Sequence, residues 1–100
     1  MKFEWDPNKA EANLRKHRIS FETGQLVFKD PLALSIPDGK HSGKEERWIT
    51  LGRADGVNPL ILVCHVYRDD DDEEVIRIIS ARKATVKEKQ QYINLPRYIP

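Results

Sequence analysis

The order in which apolar and polar positions recur along this 100-residue chain predicts a succession of strand and helix segments with few gaps. Phe3 and Trp5 share one face at a spacing of two, so residues 2–5 read as a first strand. Asp6-Pro7 then supplies a helix start, with Asp6 as N-cap and Pro7 in the first helical position, where its missing N–H costs nothing. Ala10, Leu14 and His17 recur at helical spacing as the inward stripe, Lys9, Glu11, Arg15 and Lys16 lie outside it, and the helix is expected to end near Arg18. Ser20 caps a second short helix carried by Phe21, Gln25, Val27 and Phe28. It stops before Pro31, because the residue preceding a proline avoids the helical region. Gly24 within it disfavours the helix by about 1 kcal/mol relative to Ala.

Beyond Pro31 the period falls to two. Residues 33–36, 46–52, 60–68 and 74–81 predict four strands, separated by a polar loop running from Pro37 to about residue 44, by an Asp55-Gly56 turn, and by the acidic run DDDDEE at 69–74. Thr85 followed by Glu88 is a capping box, so a last helix is expected over 86–94, ahead of Pro96. The order β-α-α-β-β-β-β-α, without long crossovers between the later strands, predicts an α+β fold: an antiparallel β-sheet meander packed against helices on one face. Strand parity puts Val75, Arg77, Ile79, Ala81 and Lys83 on one side of the last strand and lets His65 and Tyr67 alternate with Leu62, Cys64 and Val66 in its neighbour. An open polar face holding Arg77, Lys83, His65 and Tyr67 together is therefore expected.

Composition narrows the class. With 39% hydrophobic and 33% charged residues, the chain is expected to form one soluble domain over 1–100. No apolar run approaches the roughly 20 residues that span a bilayer, and the N-terminus lacks a signal peptide's apolar stretch, so a cytoplasmic location without membrane contact is expected. Cys64, the single cysteine, cannot form an intramolecular disulfide and reads as a small buried hydrophobe.

The net charge of +1 conceals an asymmetry: the six acids of DDDDEE mask a body of +7, and residues 77–100 carry +5. The segment IRIISARKAT at 76–85 gathers Arg77, Arg82 and Lys83 at one end of a sheet. Cations at a strand end also keep sheet edges apart, but clustered on a small domain they are the footprint of phosphate-backbone binding. Arg77, set among isoleucines, needs a partner or an open functional face. The acidic run reads as a solvated hairpin tip, since like charges repel.

No phosphate-cradling glycine loop, GxSxG elbow or CxxC pair is present, and His17, His41 and His65 lack metal-ligand spacing, so neither metal nor cofactor is expected. RNA cleavage needs neither if the 2′-hydroxyl attacks the adjacent phosphate. The protein must then orient the nucleophile, stabilise the phosphorane's charge and help the 5′-oxygen leave. Arg and Lys serve the second task through charge-assisted hydrogen bonds, and His, Glu or Tyr the others. His65 divides between a proton-transfer role and a structural imidazole bonded across the sheet, whereas His17 suits packing. Arg47 is a phosphate-binding candidate, and Tyr92, one turn after Glu88, a base-stacking or phosphate-donor candidate.

The motifs taken in order carry a resemblance. FEWD at residues 3–6, Asn13, Lys16-His17, Ile19-Ser20-Phe21, Val27-Phe28, Asp30-Pro31, His41-Ser42, Glu45-Glu46-Arg47-Trp48, Ile49, Gly52 and IRIISARKAT, with Glu88 and Tyr92, resemble the BrnT family of toxins over residues 2–92. The resemblance implies a RelE-like fold and a metal-independent endoribonuclease of a type II toxin–antitoxin system that inhibits translation. It also implies a BrnA-like antitoxin that neutralises the toxin in a hetero-oligomer and through which alone operator DNA is bound. Carried over by position, it points to Arg47, Arg77, Arg82, Lys83 and Tyr92 as site residues, and after them to His17 and His65. Arg18 stands where a turn-favouring glycine is expected, Gly24 replaces a better helix former, and the 69–74 turn is unusually acidic. The alternative is a non-catalytic nucleic-acid-binding or antitoxin-docking module acting as co-repressor.

Overall fold

The computed structural model describes residues 1–40, 43, 45–56 and 59–94. Five strands, β1 (Lys2–Glu4), β2 (Leu34–Pro37), β3 (Arg47–Arg53), β4 (Leu60–Asp70) and β5 (Glu73–Lys83), form one sheet in the order β1-β5-β4-β3-β2. Helices α1 (Pro7–His17) and α2 (Phe21–Gln25), a 3-10 turn (Leu26–Lys29) and α3 (Val86–Asn94) complete the expected element order. The expected His41-Ser42 segment lies outside the described residues.

Local signals act as their chemistry requires. Asp6 accepts the Asn8 amide at 2.8 Å as N-cap of α1. Ser20 accepts the Thr23 amide at 3.0 Å, and the Thr85 amide donates to Glu88 while the Glu88 amide donates back to the Thr85 hydroxyl. Arg18 ends α1 in the left-handed conformation with φ 60°, the geometry that a glycine would adopt without strain. Gly24 also has a reason: a Cβ there would meet Ala81 Cβ at 3.2 Å and Val63 Cγ2 at 3.4 Å, so its absence lets α2 lie against the sheet.

Two features of the expected fold are corrected. The four later strands form the antiparallel meander, but β1 pairs parallel with β5, Lys2 to Glu4 facing Val75 to Arg77, so the sheet is mixed. Helices also cover both faces. Phe21 and Val27, together with partly buried Phe3, Trp5, Ala10 and Phe28, pack on Ile61, Val63, Ile76, Ile78 and Ala81. On the other face Tyr92 of α3 packs on Leu51, Leu60 and Leu62. Period-two alternation cannot announce this, because β3, β4 and β5 carry apolar residues at both parities.

The expected α1 stripe is displaced as well. Leu14 is 46% exposed, whereas Asn13 is buried. Its side chain donates to the carbonyls of Ile19 (3.0 Å) and Ala81 (2.7 Å) and accepts the Ala81 amide (3.2 Å). β1 reaches only as far as Arg77 along β5. Asn13 therefore pairs backbone groups on β5 that no neighbouring strand reaches.

Strands β4 and β5 are longer than expected and take in four of the six acids; the turn is Asp71-Asp72, both with positive φ (51° and 67°), as a tight hairpin requires.

Candidate RNA-binding groove

Register decides which side chains meet. Cys64 pairs with Ser80 but His65 with Ile78, so Ile79 is an extra residue and β5 bulges there. The bulge inverts parity along β5. Arg77, opposite Val66, and Arg82, opposite Leu62, share the α3 face of the sheet, while Lys83, opposite Ile61, lies on the α1–α2 face. Strict alternation had joined Arg77 to Lys83 and separated it from Arg82.

Arg47 pairs with Val66, which pairs with Arg77, which pairs with Glu4, so these four residues form one row across β3, β4, β5 and β1. Two connected clefts lie along this row. The larger, about 380 Å³, is lined by Asp38, Arg47, Cys64, Ser80, Arg82 and Glu88 over an apolar floor of Ile49, Leu62 and Ile79. The smaller, about 220 Å³, is lined by Lys9, Gly43, Glu45, Arg47, Val66, Arg77 and Ile79. Arg47 and Ile79 belong to both, so the clefts form one groove with three guanidiniums along it.

Acids hold these cations in place. Arg82 makes a two-pronged pair with Glu88, at 2.8 and 2.9 Å. The hydrogen bond from Arg82, aided by the Thr85 cap and opposed by burial, holds the Glu88 carboxyl down at about 2. Arg77 Nη1 donates to Glu4 Oε2 at 3.1 Å, and the same carboxylate accepts from Arg68 on its other oxygen. The Arg68 hydrogen bond and the two positive charges lower the Glu4 carboxyl against the opposing effect of burial.

The remaining expected site residues lie elsewhere. His65 is fully buried on the α1–α2 face, edge-on to Phe28 with centroids 4.8 Å apart, and bonded through Nε2 to Thr50 Oγ1 at 2.7 Å. Thr50 in turn bonds Ser35 at 2.7 Å. Nδ1 is buried without a partner among the described residues, and burial pushes the imidazole down to about 4. A proton on Nε2, given to Thr50, leaves an acceptor rather than a donor orphaned at Nδ1. Tyr67 also stands on this face, against His65 and Trp48, so the expected cluster of Arg77, Lys83, His65 and Tyr67 does not form.

Tyr92 is buried, its hydroxyl donating to Asp30 Oδ2 at 2.6 Å and its ring facing Arg53 at 5.2 Å. Asp30 also accepts the amides of Leu32 and Arg53, and these bonds lower its carboxyl despite burial. Cys64, expected to be buried, is only half-buried and faces the groove; burial raises its thiol while Arg47 opposes the shift. Lys9, Asp38 and Glu45 were missed as groove residues, because only tertiary packing brings α1 and residues 38 and 45 to β3 and β5.

The described residues include no cluster of three or more His, Cys, Asp or Glu side chains that could hold a metal ion. Nor do they form a helix long and apolar enough to cross a membrane.

A groove lined with arginines on the α3 face of the sheet is suited to a phosphodiester backbone. The profile of a family described as "Ribonuclease toxin, BrnT, of type II toxin-antitoxin system" matches residues 5–88. The chain belongs to this family of ribonuclease toxins, and membership of a type II system implies an antitoxin protein as partner. No curated protein matches the chain.

Proposed function

We propose that the chain is a RelE-like endoribonuclease toxin, folded as one unit over 1–100 and acting in the cytoplasm, that cleaves RNA without a metal and so inhibits translation and growth. The observation that carries this reading is the placement of Arg47, Arg77 and Arg82 along one groove on a single sheet face. Guanidiniums gathered in one groove can neutralise backbone phosphates and the charge that builds on the phosphorane when the 2′-hydroxyl attacks. Asp38 and Glu45, at the groove walls, are the carboxylates placed to take the 2′-proton. His65, neutral and sealed behind Phe28, Tyr92, committed to Asp30, and Lys83, on the opposite face, support the fold rather than the reaction.

A BrnA-like antitoxin is the proposed inhibitor, covering the cations of this face with an acidic or amphipathic segment in competition with RNA. Operator DNA is bound through that complex.

The test is the chemistry of the products. Purified protein in EDTA is expected to leave a 2′,3′-cyclic phosphate and a 5′-hydroxyl, the ends that internal 2′-attack must generate. Cleavage that requires added Mg²⁺, or that leaves a 5′-phosphate, would overturn the mechanism.

A further inference from the structure

Arg77 sits on β5, between Ile76 and Ile78, with its long side chain on the groove face. A guanidinium there has several rotamers, and a phosphate in flight between two oxygens tolerates little misplacement. One element selects among those rotamers. The three-residue strand β1 lies parallel to β5 in a register that puts Glu4 directly opposite Arg77. Phe3, on the other side of β1, is anchored against Phe28 with ring centroids 5.4 Å apart, which holds Glu4 on the groove side. The Glu4 carboxylate is divided: Oε1 takes Arg68 and Oε2 takes Arg77 Nη1. Because the contact engages Nη1 alone, the planar fork keeps a second edge for a phosphate.

We propose that Glu4 is a positioning residue for Arg77, holding its guanidinium at the groove beside Arg47 while competing with RNA phosphate for that guanidinium. The proposal rests on the ribonuclease reading above. Its two halves have opposite consequences. A neutral isostere at position 4 frees Arg77 to pair with phosphate, so RNA binds more tightly. The freed guanidinium also samples other rotamers, so the bound phosphate is cleaved more slowly. A merely structural carboxylate would not separate the two, since a loosened fold weakens binding and cleavage together.

The experiment compares wild type, Glu4→Gln, Arg77→Ala and the double variant. It uses single-turnover cleavage of one RNA oligonucleotide and the affinity of its uncleavable 2′-O-methyl analogue, with circular dichroism checking that each variant is folded. Glu4→Gln is expected to slow cleavage about tenfold and to tighten analogue binding about threefold. In the Arg77→Ala background the same replacement is expected to change both by less than about twofold, because its effect passes through Arg77. Should the double variant cleave too slowly to measure, the affinity arm of the cycle decides. An unchanged cleavage rate in Glu4→Gln, a joint fall in rate and affinity, or an equal effect with and without Arg77 each overturns the proposal. Full cleavage by a folded Arg77→Ala variant is a different failure: it removes Arg77 from the site and with it the reading of the groove.

Discussion

The two faces of the sheet are built from the same strands yet have opposite electrostatic characters. On the α1–α2 face Phe21, Ile61, Val63, Ile76, Ile78 and Ala81 exclude water, and His65 among them is held neutral, its Nδ1 without a partner among the described residues. On the α3 face Arg47, Arg77 and Arg82 line a groove above an apolar floor, Arg77 and Arg82 steadied by Glu4 and Glu88. The bulge at Ile79 produces this separation: one extra residue moves Arg82 onto the Arg77 face and Lys83 away from it. Which residues reach the groove thus depends less on residue type than on register. Cys64 and His65 are adjacent, yet one lines the groove and the other lies in the core.

Interference with the sealed face should have the largest effect on stability. Asn13→Ala removes three buried hydrogen bonds and orphans the Ala81 amide and carbonyl, and is expected to lower unfolding free energy by about 3 kcal/mol in chemical denaturation. A loss below about 1 kcal/mol would mean that water replaces the side chain at the β5 edge.

Acid should distinguish the faces next. The folded-state pKa of His65, about 4, lies below its ordinary 6.5, so the unfolded chain binds the extra proton between those values. Stability contributed by neutral His65 is complete above pH 6.5 and is lost as pH falls toward 4, at most on the order of 3 kcal/mol. Glu88 acts in a lower window: its stabilisation is present above 4.5 and disappears on approach to about 2. Denaturation midpoints for His65→Gln should therefore lose the slope between pH 6.5 and 4 and keep that below 4.5. A retained upper slope would assign it to another group.

A smaller effect concerns how α3 is held over its face. Tyr92→Phe deletes the hydroxyl bonded to Asp30 and is expected to cost about 1–2 kcal/mol, leaving cleavage within about threefold of wild type. Loss of cleavage at unchanged stability would return Tyr92 to the chemistry.

The smallest effect is at the hairpin tip. Asp69 faces Glu74 and Asp70 faces Glu73, like charges directly opposite each other. Asp70→Asn should stabilise by a few tenths of a kcal/mol at low salt, and the gain should vanish at high salt, because the charges are exposed and screened. A salt-independent gain would point to turn geometry instead.

How much of this could be read from the chain follows from the range of each signal. Helix starts at Asp6, Ser20 and Thr85 are local hydrogen-bonding devices, and the structure places all three as their sequence indicates. The strand order in sequence and the acidic hairpin are equally local. The parallel seat of β1, the face taken by α3 and the bulge at Ile79 depend on partners dozens of residues away, and no residue type near them announces the choice. The candidate site was therefore legible as a set of cations but not as an arrangement. Arg47, Arg77 and Arg82 are brought together, whereas His65, Lys83 and Tyr92 are placed apart from them. Asn13, a motif residue in the sequence, owes its importance to a backbone edge that only the folded sheet creates.

The central claim is that the α3 face, and not the α1–α2 face, carries the reaction. Single-turnover cleavage of one RNA by folded Arg77→Ala and Lys83→Ala variants, at equal ionic strength in EDTA, tests it most directly. Arg77→Ala should lose on the order of 100-fold, as expected on removing a donor to developing charge, while Lys83→Ala should stay within about threefold. Equal losses, or a Lys83→Ala variant slower than Arg77→Ala, would contradict the account.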